Sequence, residues 1–150
     1  MKKFELTTES ITNALGKKLF RIKALVEFGD VKAGELGGYV EKEGNVSQDG
    51  NAWVYEDAAV YGDARVSGDA RVSGNADYAC IKGFGTEFRH TTFYKTKENG
   101  IGVKCGCFNG SLEQFREQVK ETRTGKIVKE YLAIADLMEY HFARGDSDDE

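Results

Sequence analysis

The residues that could do chemistry in this chain are few and scattered. It has two histidines, His90 in EFRHTTFY and His141 near the C-terminus, and three cysteines, Cys80, Cys105 and Cys107. A histidine acting as general base needs a group to orient it, and the sequence names no such partner for either. Both read as surface or packing residues, with His90 the better candidate base. Cys105-Gly106-Cys107 lacks the further ligands of a zinc site. Alternation along a strand puts its two sulfurs on one face, where small thiols pack well. Gly83-Phe84-Gly85 has no strand–loop–helix setting and reads as a turn rather than a phosphate loop. Asp57, Asp63 and Asp69 recur every six residues and invite an acid–base or calcium reading. Each follows a Gly or Glu at a corner, where a carboxylate bonds its own backbone, and successive members fall on different faces. No metal and no cofactor are expected. What remains is a set of aromatic and cationic residues read as pointing outward: Trp53, Tyr55, Tyr61, Arg65 and Arg71. Such a mixture is typical of a binding surface.

The elements that must position this set are written in six-residue units. GNVSQD, GNAWVY, EDAAVY, GDARVS, GDARVS and GNADYA run from residue 44 to residue 79. The third position carries Val46, then Ala52, Ala58, Ala64, Ala70 and Ala76. The fifth carries Gln48, Val54, Val60, Val66, Val72 and Tyr78. Residues two apart share one side of a strand, so each unit offers one small and one large inward residue. Gly-Asp and Gly-Asn between units supply corners with positive φ. A helix would lose roughly 1 kcal/mol at each glycine, and hairpins at this spacing leave no strand long enough to pair. Coils of three units, stacked about 4.8 Å apart with parallel pairing, satisfy the period. Stepping back from Val54 and Ala52 by one coil gives Leu36 and Gly34 as a first face. About three coils over residues 31–80 are expected, with capped ends.

The flanks read differently. Ser10–Ala14 and Lys18–Phe28 form a hairpin around Asn13-Ala14-Leu15-Gly16-Lys17, with Phe20, Ile22, Ala24 and Val26 on one face. It is assigned to the N-terminal cap, residues 1–30. Residues 81–110 are rich in β-branched and aromatic types and turn at Glu98-Asn99-Gly100. Ser111 and Gln114 form a capping box that opens a helix with Leu112, Phe115 and Val119 as its stripe. A second helix over about 125–142 aligns Ile127, Tyr131, Ile134, Met138 and Phe142. Residues 143–150 form an acidic tail, expected to be disordered.

The Ala58/Val60, Ala64/Val66 and Ala70/Val72 pairs resemble the hexapeptide-repeat family, which implies a left-handed parallel β-helix. The chain is also similar to small phage- and prophage-encoded proteins with such repeats. The matching stretches are KLFRIKAL, FGDVKAGELGGYVEKEGNVSQDGNAWVY, DYACIKGFGTEF and EYLAIADLMEYHF. The expected fold is therefore mainly β with C-terminal α. It is a short left-handed parallel β-helix with an N-terminal hairpin, a C-terminal hairpin and two helices.

Composition limits the function. The net charge of −4 argues against nucleic acid, whose phosphates need a basic surface. No apolar run is long enough to span a membrane. MKKFELTTES lacks the apolar stretch of a secretory signal, and the cysteine count suits a reduced cytoplasm, here that of a bacterial host. The leading expectation is a non-catalytic, homo-oligomeric binding protein, a dimer or trimer, of phage or prophage origin. It would inhibit a bacterial defence system by binding a host protein or sequestering a small nucleotide. Related acyltransferases imply an alternative, acyl-CoA-dependent transfer with His90 as base. A structural or assembly role is a third. The three-histidine zinc site of carbonic anhydrases sharing that fold is rejected, since two histidines outside the repeat cannot build it.

Overall fold

The computed structural model describes residues 2–74, 77–84, 89–96, 100–105 and 108–143. The chain opens with an antiparallel hairpin of β1 (Phe4–Thr12) and β2 (Lys18–Ala24). Asn13 makes the turn, its side-chain oxygen accepting from the amides of Leu15 and Lys17 at 3.0 and 2.9 Å. The ladder carries a register shift, and Leu19, Ile22 and Ala24 rather than Phe20 are the buried residues of β2.

The repeat follows as short strands: β3 (Leu36–Val40), β4 (Trp53–Val54), β5 (Ala59–Val60) and β6 (Arg71–Val72). Gly50, Gly62 and Gly68 sit at corners with φ of +74°, +69° and +61°. The inward columns are as the period requires: Ala52, Ala58, Ala64 and Ala70 are buried beside Val54, Val60, Val66 and Val72. Each buried valine contributes about 1.5 kcal/mol or more relative to exposure.

The expected left-handed parallel β-helix is not what forms: the four-stranded sheets are mixed or antiparallel rather than one parallel stack. Among the described residues, parallel pairing is confined to Tyr39–Ala59 and Val40–Val60, Trp53–Arg71 and Val54–Val72, and a single Val46–Val66 bridge. Among the described residues, the sheets are one mixed (β1-β2-β3-β5), one antiparallel and one two-stranded (β4-β6). Two-residue strands give each layer little ladder of its own. The longer alternating runs on both sides pair antiparallel and take over.

The repeat register also differs from the one read along the sequence. Val46 sits opposite Val66, 20 residues on, whereas Trp53 sits opposite Arg71, 18 on. Gln48 and Asp49 are therefore two extra residues between the sides. Gln48 Oε1 accepts from the amides of Lys3 and Phe4 at 2.7 and 3.2 Å, tying the insertion to β1. Leu36 is no inward face; it pairs with Lys23 and is exposed.

Gly37 and Gly38 let β3 lie directly over the next turn. A Cβ at Gly37 would come within 2.6 Å of the Val54 carbonyl oxygen and 2.7 Å of the Trp53 ring. At Gly38 it would fall on the Ala58 carbonyl oxygen and 2.6 Å from Val54 Cγ1.

The C-terminal half holds β7 (Tyr78–Phe84), β8 (Arg89–Lys95), β9 (Ile101–Cys105) and β10 (Phe108–Ser111), an antiparallel sheet ordered β10-β9-β8-β7. Helices α1 (Leu112–Thr122) and α2 (Gly125–Phe142) cover it. The Ser111/Gln114 capping box opens α1. Two hydrophobic clusters result. One holds the repeat interior with Phe4, Ile22 and Trp53. The other is aromatic, with Phe115 edge-on to Phe93 at 5.8 Å and to Tyr131 at 5.7 Å. Tyr94 of β8 crosses from the sheet into the first cluster. Among the described residues, no helix is long and apolar enough to cross a membrane.

Candidate functional site

Where the repeat meets the antiparallel sheet, a groove runs between them. Its wider part, about 650 Å³, lies among residues 43–44, 46–50 and 65–68, Lys104 and Asn109. A narrower part of about 460 Å³ continues past Lys42, Asp63, His90 and Thr92. Gly44, Arg65 and Lys104 line both.

Local chemistry fixes the walls. Thr92 Oγ1 accepts from the Arg65 amide at 3.0 Å, pinning the repeat to β8. Tyr94 Oη donates to Asn109 Oδ1 at 2.8 Å, and Ser67 Oγ donates to the same oxygen at 3.0 Å. Burial pushes the Tyr94 phenol above its ordinary range, so it remains a donor. Asn45, fully buried, joins the two turns of the repeat. Its Oδ1 accepts from the amides of Glu41 and Lys42, and its Nδ2 donates to the carbonyls of Gly62 and Ala64.

The charges of the groove are unevenly compensated. Glu43 is occupied by Lys2 at 3.3 Å and by the Gln48 amide at 2.8 Å. Asp63 faces Lys42 at 3.6 Å. Among the described residues, Arg65 and Lys104 form no ion pair. By contrast, Arg21, Arg71 and Arg116 each hold at least one carboxylate. Burial holds the His90 imidazole below its ordinary range; Asp63 opposes the shift and Lys82 and Lys42 add to it.

The five residues read as one outward set are separated. Trp53 is 0% exposed and belongs to the core, edge-on to Phe28 at 5.2 Å and to Phe4 at 5.9 Å. The β1 segment and Phe28 cover the face that the repeat alone leaves open. Tyr55 and Arg71 lie together on another side. Tyr55 Oη donates to Asp30 Oδ1 at 2.9 Å, Arg71 donates to Asp30 Oδ2 at 3.0 Å, and the guanidinium sits 4.8 Å from the Tyr55 ring centre. Burial, with Asp30 adding, pushes the Tyr55 phenol up to about 12. Tyr61 is half-buried. Arg65 alone of the five lines the groove.

Asp57 pairs with Arg21 at 3.0 Å, and Asp69 lines a 280 Å³ hollow with Asp30, Tyr55 and Arg71. Asn51 and Gly68 meet through an amide–carbonyl bond of 3.0 Å, which places Asn51 beside the Asp69 corner. His141 is exposed on α2, edge-on to Phe142. Cys105 is half-buried and accepts from Thr91 Oγ1 at 3.2 Å. Cys107, Gly85, Glu98, Asn99, Asn75 and the acidic tail from residue 144 lie outside the described residues. Among the described residues, no group of His, Cys, Asp and Glu is arranged to hold a metal ion.

Sequence reasoning missed Lys42, Ser67, Lys104 and Asn109. Lys104 and Asn109 sit far along the chain from the repeat, in a stretch read only for strands. The one available signal was the outward position of Ser67 in a unit whose neighbour, Arg65, was already marked. No protein-family model matches the chain, and no curated protein matches it.

Proposed function

We propose that the chain is a non-catalytic binding protein that holds a small polar molecule in the groove between its repeat and its C-terminal sheet. The supporting observation is the pair Arg65 and Lys104, cations that form no ion pair among the described residues and face one cavity whose walls come from two separately packed halves. A molecule bound there touches both halves, which favours tight retention. The resemblance to phage-encoded proteins would make a bacterial signal molecule the cargo, and a host defence system the target of its sequestration.

The test is native mass spectrometry of protein purified from bacteria, followed by release and analysis of the small molecules it carries. The expected result is a co-purifying molecule that is absent from the Arg65→Ala/Lys104→Ala variant and is recovered unchanged after prolonged incubation. A molecule consumed on incubation would overturn the non-catalytic reading. The same sample, measured by size-exclusion chromatography with light scattering, tests self-association.

One observation favours a second reading, acyl transfer from an acyl-CoA. His90, the candidate base, lines the narrower part of the groove. In that case a His90→Ala variant would keep binding and lose turnover of acyl-CoA; an unaltered variant removes the reading.

A further inference from the structure

The groove is narrowest in chemistry where its two parts meet. Arg65 and Lys104 belong to the lining of both, so any ligand long enough to occupy both parts passes beside them. A guanidinium and an ammonium with no carboxylate partner among the described residues suit a phosphate, which accepts several charge-assisted hydrogen bonds at once. Gly44 lies beside them, where backbone can approach an anion without a side chain intervening.

The wider part has a different character. Ser67 and Asn109, bonded to each other, line it together with Asp49. Asn109 Oδ1 is already occupied by Tyr94 and Ser67, which leaves its Nδ2 as the group free to donate to a ligand. No aromatic side chain is among the described residues that line this part. A carboxylate and an amide without a stacking platform match hydroxyl groups better than a flat ring.

We infer that the groove binds a phosphorylated sugar, with the phosphate between Arg65 and Lys104 and the sugar hydroxyls on Asp49 and Asn109. This rests on the groove being the binding site proposed above. The phosphosugar is recognised either free or as the ribose phosphate portion of a nucleotide; both present the same chemistry.

The experiment is calorimetric titration with ribose 5-phosphate, ribose, inorganic phosphate and AMP, with amide shifts of ¹⁵N-labelled protein locating each. Ribose 5-phosphate is expected to bind at least about tenfold tighter than ribose or inorganic phosphate. Arg65→Ala and Lys104→Ala should each weaken it about tenfold or more. Arg71→Ala, which removes an arginine already held by Asp30, should leave the affinity unchanged. AMP binding as tightly as ribose 5-phosphate marks the nucleotide source, and AMP excluded marks the free sugar phosphate. Ribose or inorganic phosphate binding as tightly as the sugar phosphate overturns the inference, as does indifference to both substitutions. If groove amides respond to ribose without any dependence on phosphate, this assignment fails while the binding reading stands. If no probe moves a groove amide and the co-purifying molecule maps elsewhere, both fail.

Discussion

Residues 62–67 and 68–73 are the same six residues, GDARVS, and they end in different chemistry. Inside, they are interchangeable: Ala64 and Val66 are as buried as Ala70 and Val72. Outside, they diverge. Arg71 meets Asp30 and Tyr55, which the loop after β2 and the adjoining turn bring to its side. Arg65, six residues earlier and one face around, meets β8 and finds no carboxylate among the described residues. Ser67 is buried against Tyr94 and Asn109, while Ser73 bonds Asp77. A repeat thus specifies its interior through the period, but the use of each outer face depends on what the rest of the chain lays over it.

The shared interior can be broken at its tightest point. Gly38→Ala would drive a Cβ into backbone of the following turn, which has no rotamer to yield. The expected loss is about 3 kcal/mol, seen as a lowered midpoint in urea denaturation. Retention of wild-type stability would mean that the two turns are not in close contact there.

Equality of the two interiors is the next test. Val66→Ala and Val72→Ala should each destabilise by about 2 kcal/mol. The two values should agree to within about 0.5 kcal/mol. A clear inequality in denaturation would show that the outer faces reach into the core.

A third test concerns the corners. Where units 62–67 and 68–73 begin with glycine, the unit from residue 56 begins with Glu56, at φ of +55°. A side chain in that region costs about 1 kcal/mol. Glu56→Gly should therefore raise the melting temperature, with an expected gain of about 0.5–1 kcal/mol.

On the outer faces the stability effects shrink. Arg71→Ala removes an exposed ion pair and a ring contact, an expected loss of about 0.5–1 kcal/mol. Arg65→Ala should leave thermal stability unchanged within about 0.5 kcal/mol and act on ligand binding instead. Equal thermal effects would erase the distinction between the two arginines.

The last test is a pH dependence on the side of the second unit. Lys3 donates to the carbonyls of Gly50 and Ala52 at 3.2 and 2.9 Å, on the turn beneath residues 68–73. Burial pulls its ammonium from 10.5 down to about 8, with Asp49 opposing. Between those values the unfolded chain holds a proton that the folded chain has released. Lys3 therefore adds stability as pH rises through the window from about 8 to 10.5. The wild type should gain on a Lys3→Met variant over that range in paired thermal melts. A constant difference would place Lys3 in a more hydrated setting.

Much of the architecture could be read from the chain. The Ala/Val columns, the Gly corners, the hairpin turn at Asn13 and the Ser111/Gln114 cap are local patterns whose causes lie within a few residues. Two things could not. The extra pair Gln48-Asp49 looks like part of a unit until the parallel partners are known, since only pairing defines register. Trp53 looks outward by alternation, and it is outward from the repeat; β1 and Phe28 then bury it.

The sequence by itself determined the small-and-large interior of the repeat, its corners and the capping box that opens α1. These follow from side-chain volume, alternation and φ, which are properties of a residue and its neighbours. The tertiary structure alone decided how many turns stack, where antiparallel pairing takes over and which arginines meet a carboxylate among the described residues. Those depend on long-range burial and charge pairing, and residues such as Lys104 and Asn109 join Arg65 only once two separately packed halves are brought together.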